Sequence, residues 1–174
     1  MTTSSNGEGN TAQKHTISIL VQNTFGAFNR IAGLFAAKGY NIDSLSVGQT
    51  EDETVSRMTI VTRGDDQVIE QITKQLNKLI DTVRVVDLTF ESFVERELIL
   101  IKVQTKMETR PEIMQIAEIF RAKVVDISAK TLTLEATGSQ QKVEAIVKML
   151  KPFGIKELAR TGRVALKREF QGEV

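Results

Sequence analysis

Cysteine and tryptophan are absent from this chain, and histidine and tyrosine each occur once. Without cysteine there is no disulfide, no thiolate nucleophile and no cysteine-based zinc site. The single histidine, His15, has no carboxylate or nucleophile partner in its sequence context, and it reads as an ordinary residue at the edge of the first strand. Aromatic residues make up 5% of the chain, too few for a base-stacking platform on a sheet. A net charge of +1 gives no basis for electrostatic capture of nucleic acid or of an anionic membrane. No apolar run approaches the length needed to span a bilayer. Nucleophile elbow, phosphate loop and dinucleotide fingerprint are all missing. Carboxylates are plentiful but fall on helix exteriors and loops. These absences favour a binding or regulatory module over an enzyme, and no catalytic residue or metal ligand is assigned.

What is present is a pattern that occurs twice. Residues 1–13 are polar, rich in Ser, Thr, Asn and Gly, and have no apolar centre. They fit neither a secretory signal nor a transit peptide, and they read as a disordered leader of a cytoplasmic protein. From His15 the pattern predicts a strand, a helix over 26–38 and a strand over 40–47. A polar loop over 48–53 and a strand over 54–62 follow. Asp65 and Asp66 suit the positive end of the next helix, which carries Ile69, Ile72, Leu76, Leu79 and Ile80 on one face. A valine-rich strand over 82–90 completes a βαββαβ unit.

Residues 91–97 read as a short link, and then the order recurs. Leu98-Ile99-Leu100-Ile101 with Val103 is a strand. Thr109-Arg110-Pro111-Glu112 fits a capping box with proline in the first turn. The helix behind it carries Ile113, Ile116, Ala117 and Phe120, the spacing of Phe28, Ile31, Ala32 and Phe35 in the first half. Strands over 124–128 and 131–136 precede a helix opened by Gly138-Ser139, which bears Val143, Ile146, Val147 and Leu150. Pro152-Phe153-Gly154 ends that helix, 155–161 returns as a strand, and 162–170 is a basic tail with a weak strand signal. The fold class is therefore α+β: two tandem ferredoxin-like βαββαβ units, over 14–91 and 97–168. Each unit would place an antiparallel sheet under two helices and leave one sheet face open. An open face or edge needs a partner, and a second copy aligned side by side is the simplest one. A homodimer formed mainly through the first units is expected.

The candidate site is the turn Asn23-Thr24-Phe25-Gly26, where the run Ile17, Ile19, Val21 ends and the first helix begins. Polar caps and a glycine at a helix start leave backbone N–H groups open to a small carboxylate. Gly26 has no Cβ to obstruct a ligand. The second half has Thr105-Lys106-Met107-Glu108 at the matching place and lacks this turn, so it is expected to act as scaffold or partner contact.

The turn, with Gly33-Leu34-Phe35, Gly39-Tyr40-Asn41-Ile42 and Ser56-Arg57-Met58-Thr59-Ile60, resembles the ACT domain of one family. That family is the regulatory (small) subunit of acetohydroxyacid synthase, also called acetolactate synthase. Val94-Glu95-Arg96-Glu97-Leu98 and Ala159-Arg160-Thr161-Gly162 carry the resemblance through residues 15–167. It implies a non-catalytic subunit that binds and activates a large catalytic subunit and confers feedback inhibition by valine, leucine or isoleucine. The alternative it leaves is an ACT-domain sensor of a different enzyme. Thiamine diphosphate, FAD and Mg²⁺ would belong to the large subunit, with no cofactor in this chain. The effector would lie between two copies: Asn23, Gly26, Ala27 and Phe28 from one, Asn41 and Ile42 from the other. Backbone N–H groups of Gly26, Ala27 and Phe28 would take its carboxylate. The amide oxygens of Asn23 and Asn41, or backbone carbonyls, would accept from its ammonium. Ile42 would meet its branched side chain, and Asn29 at the pocket mouth would tune sensitivity.

Overall fold

A computed structural model describes residues 13–169, so most of the expected leader and the end of the basic tail lie outside the described residues. The first half runs β1 (Gln13–Gln22), α1 (Ala27–Lys38), β2 (Ile42–Gln49), β3 (Val55–Gly64), α2 (Asp66–Leu76) and β4 (Thr82–Asp87). The second runs β5 (Phe93–Gln104), α3 (Arg110–Ile119), β6 (Lys123–Ile127), β7 (Thr131–Gly138), α4 (Gln140–Leu150), β8 (Ile155–Arg160) and β9 (Val164–Lys167). The antiparallel strand orders are β2-β3-β1-β4 and β6-β7-β5-β8, the ferredoxin-like arrangement expected from the two βαββαβ patterns.

Local chemistry explains most boundaries. α1 ends because Gly39 takes a left-handed φ of 70° and donates to the Ala36 carbonyl, while Tyr40 donates to that of Phe35. The Asp65 carboxylate caps α2 by accepting from the Val68 N–H at 2.8 Å. Ser139 caps α4 in the same way through Lys142. The capping box anticipated at Thr109 does not form. Thr109 is already helical, and its hydroxyl accepts from the Lys106 N–H, one turn earlier.

Each sheet buries its own core against its own helix pair. Ile17, Ile19, Met58 and Ile60 meet Ile31, Phe35, Ile69 and Ile72 in the first. Ile99, Ile101, Leu132 and Leu134 meet Ile113, Ile116, Val143 and Ile146 in the second. Four expectations need correction. The buried stripe of α1 is Ala27, Ile31 and Phe35, which leaves Phe28 47% exposed. α2 stops at Leu76, so Ile80 falls in the following turn and is 87% exposed. His15 is fully buried rather than at an edge, because it shares the core-facing side of β1 with Ile17 and Ile19. Its Nδ1 lies 3.4 Å from Asp87 Oδ2 and its ring meets Phe90 edge-on.

The fourth correction matters most. From Phe93 the expected link is already strand. β5 pairs β9 through its first part, Phe93 to Arg96, and pairs β7 and β8 through the rest. The β5–β9 ribbon reaches the face of the first sheet that is turned away from α1 and α2. Thr16 and Ser18 face that side, across from Val61 and Thr59, and all four are buried. Ala165 of β9 is buried as well. The first sheet is thus partly covered on its second face by the chain's own second half, with clefts of about 690 and 520 Å³ left between the two. Gly162, just before β9, has φ +78°, and a Cβ there would stand 3.0 Å from the Leu45 carbonyl oxygen of β2.

Gly162→Ala should therefore lower the unfolding free energy by about 1–3 kcal/mol in urea denaturation, from left-handed strain plus the clash. Gly33→Ala, in α1 with nothing within 4 Å of the added carbon, should instead raise it by roughly 0.5–1 kcal/mol.

Candidate functional site

The turn between β1 and α1 is held from outside itself. Gln22 N–H donates to the Asp81 carbonyl at 2.8 Å, and Asn23 N–H to the Thr54 carbonyl at 2.7 Å. The Thr24 hydroxyl donates to Asp81 Oδ1 at 3.1 Å, and Arg30 Nε to Asp81 Oδ2 at 2.5 Å. Asp81 is nearly buried and ties the end of β1 to the second turn of α1. The Arg30 guanidinium, and after it the Thr24 hydroxyl, hold the Asp81 carboxyl below the usual carboxylate range.

Neither polar side chain of the turn caps the helix. Asn23 Nδ2 donates to the Glu53 carbonyl at 3.1 Å, and Thr24 is spent on Asp81. Gly26 is the N-cap residue, in a left-handed conformation with φ 84° and no side-chain hydrogen bond. Its missing Cβ would lie 3.2 Å from Arg30 Nη1. The Ala27 N–H is already engaged by the Thr24 carbonyl at 3.2 Å. No acceptor among the described residues takes the N–H groups of Gly26, Phe28 and Asn29. These donors sit at the positive end of α1, whose first turn carries no acidic residue. Around them Phe25 is 100% exposed and Asn29 is exposed.

The other expected half of the site is elsewhere. Ile42 begins β2 and Asn41 stands just before it, its carbonyl accepting from the Thr62 hydroxyl and its Nδ2 donating to Asp43. On β3, Gln22 pairs with Val55 and Ile42 with Thr62, which sets the two clusters about 23 Å apart along the strand. One chain therefore brings Asn23, Gly26, Ala27, Phe28 and Asn29 together and leaves Asn41 and Ile42 at the opposite end of the sheet. A cleft of about 690 Å³ lies between the first sheet and the β5–β9 ribbon, and none of these residues lines it. Among the described residues no helix is long and apolar enough to cross a membrane. No group of three or more His, Asp or Glu side chains among them is placed to hold a metal.

Residues 17–84 match the family described as AHAS small subunit-like ACT domain, and residues 96–169 match small subunit of acetolactate synthase. The chain belongs to the acetolactate synthase small-subunit family. It is 56% identical to the acetolactate synthase small subunit of Aquifex aeolicus over 90% of this chain and 82% of that one. The probable acetolactate synthase small subunit of Archaeoglobus fulgidus is 54% identical, over 89% of this chain and 97% of its own. The crystal structure of the Thermotoga maritima small subunit superposes with a TM-score of 0.81 at 44% identity, over 90% of this chain and 98% of that one. The two acetolactate synthase small-subunit matches fall one on each sheet.

Sequence reading missed Asp81 and Arg30, which shape the turn in this small-subunit fold. They are 51 positions apart, and no local pattern links them. Because Asp81 is held in its ionised form, its contribution to stability is complete above the ordinary carboxylate pKa near 4. It is lost as pH falls through the lower folded value. Asp81→Asn should therefore narrow the loss of stability between pH 5 and pH 2 in urea titrations. A variant with the wild-type acid slope would show that the Arg30–Asp81 contact does not form in solution.

Proposed function

We propose that this chain is the regulatory, non-catalytic subunit of a cytoplasmic acetohydroxyacid synthase. It activates a large catalytic subunit, which carries the thiamine diphosphate, FAD and Mg²⁺, and it confers feedback inhibition by valine or another branched-chain amino acid. The observation that carries the effector reading is the separation of the two residue clusters. β2 is an edge strand with an unpaired side. Two copies joined antiparallel through β2 would lay the start of one β2 beside the end of the other. The end of β2 is also the end of the sheet where the β1–α1 turn stands. Such pairing therefore delivers Asn41 and Ile42 of one copy toward Asn23, Gly26, Ala27 and Phe28 of its partner.

A free amino acid fits that meeting point. Its carboxylate would accept from the N–H groups of Gly26 and Phe28, with Asn29 next in line, at the positive end of α1. Its ammonium would donate to the side-chain oxygens of Asn23 and Asn41. Ile42 would cover the branched side chain. An effector in this seam controls activity only by preferring one arrangement of the pair, and a preference of about 1–3 kcal/mol is the usual scale.

Gly26→Asp should abolish inhibition of the reconstituted synthase by valine while activation of the large subunit persists. The new carboxylate would repel the ligand's own and compete with Asp81 for Arg30. Titration calorimetry should show valine affinity at least 100-fold weaker, and undiminished affinity would remove Gly26 from the site. Asn29→Phe should raise the half-inhibitory valine concentration about tenfold by crowding the same N–H groups. A wild-type chain that binds serine rather than a branched amino acid, and fails to co-purify with the synthase, would favour an ACT-type sensor of another enzyme.

A further inference from the structure

Two of the motifs read from the sequence form no part of the effector turn: Val94 to Leu98 and Ala159 to Gly162. In the fold they meet. Glu97 Oε1 and Oε2 accept from Arg160 Nε and Nη2 at 3.1 and 3.2 Å. Thr161 Oγ1 accepts from the Leu98 N–H, and the Thr161 N–H donates to the Leu98 carbonyl. This fixes the turn that carries Gly162 and Arg163 between β8 and β9.

Arg163 is the centre of the joint. Its side chain is only 13% exposed. Nε pairs with Glu95 Oε2 at 2.9 Å, Nη1 donates to Thr16 Oγ1 at 2.6 Å, and Nη2 donates to Gln140 Oε1. The other oxygen of Glu95 accepts from the Gln140 N–H at the start of α4. One planar guanidinium thus holds β1 of the first unit, β5 and the opening of α4. Thr16 lies on the face of β1 turned away from α1, near the end of the strand opposite the effector turn. Gly162 rests on the Leu45 backbone of β2, on the far side of β3 from β1. Charge-assisted hydrogen bonds in a fixed fork do not stretch continuously, so a shift of β1 or β2 either carries the joint along or breaks it.

We propose that Arg163 is the positioning residue through which the state of the first sheet is imposed on the second unit. On the effector reading above, on which this inference rests for its signal, what is transmitted is occupancy of the seam. Neither Arg163 nor its partners touches the effector.

Three variants test this in the full chain reconstituted with its large subunit. Arg163→Met removes the fork, and Glu95→Gln with Arg163→Met removes both charges, so that no lone carboxylate stays buried. Thr16→Val, the mildest, removes only the contact across the units and covers the case in which the others fail to fold. Valine affinity should stay within a few-fold of wild type by calorimetry, while the fraction of activity inhibited at saturating valine falls at least threefold for the Arg163 variants and by about a third for Thr16→Val. Wild-type inhibition at saturating valine in every folded variant would overturn the proposal. Amide exchange without effector is the independent arm. Amides of β1 near Thr16 and of the first turn of α4 should exchange at least tenfold faster in Arg163→Met, or in Thr16→Val if the former does not fold. Wild-type exchange at both places would overturn the joint. A wild-type chain that binds no valine removes the effector reading instead, and the exchange result then decides the joint alone.

Discussion

The structure depends on one strand that serves two sheets. β5 gives its first four residues to the ribbon with β9 and its remainder to the centre of the second sheet. A strand is stiff over this length, because each peptide is locked by its ladder. The turn before β9 meets the outer face of the first sheet at Thr16, through Arg163, and at the Leu45 backbone, through Gly162, so a rotation of the second sheet would move these contacts. The polar character of that buried face follows. Thr16 is met by Arg163 and Ser18 by Arg57 at 2.9 Å, which satisfies groups that would otherwise be costly to bury.

The two units repeat an architecture but not a chemistry. The first opens its α1 with a left-handed glycine and three N–H groups that no acceptor in the described chain takes. In the second, the matching turn is closed upon itself: the Lys106 carbonyl accepts from the N–H groups of Thr109 and Arg110, and the Thr109 hydroxyl accepts from the Lys106 N–H. Met107 is exposed there. Gly154 stands where Asp81 does, its carbonyl accepting from the Gln104 N–H, but it has no side chain to hold the loop. The faces differ too. The second sheet keeps its outer face accessible, with Leu100, Lys102 and Glu157 on it and the last two paired at 2.8 Å. Duplication of a fold has left one copy with an open helix start and the other with an open sheet face.

Much of this was legible because local chemistry announced it. Gly39 after a helical run, Asp65 and Ser139 before one, and the alternation of Ile17, Ile19 and Val21 each act within a few residues. The failures share a different cause. Phe28 looked like a core residue because it keeps helical spacing with Ile31 and Phe35, yet Ala27 lies nearer the sheet and takes the inner position. β5 was read as starting at Leu98 because Glu95, Arg96 and Glu97 break the apolar pattern. Glu95 and Glu97 face partners that no window of sequence contains, Arg163 and Arg160. Arg163 meets Thr16 across 147 positions and Arg30 meets Asp81 across 51. The turn and its glycine could be found by reading, while the residues that hold them could not.

Internal cover of the first sheet also restricts what a second copy can do. With one face against α1 and α2 and part of the other under the ribbon, the first unit keeps two free edges, β2 and β4. β4 is the shorter template, with six residues against eight in β2, and each strand's register slips once against its neighbour. β2 begins at Ile42, directly after Asn41. On the seam proposed above, a ligand at β2 reaches the second unit through the contacts the first sheet makes with it, Thr16 with Arg163 and the Leu45 backbone with Gly162. A shift confined to α1 would leave those contacts where they are. Regulation through that seam would therefore have to move strands and not merely seat a helix, and the polar joint on the sheet's outer face lies where such a movement would be felt.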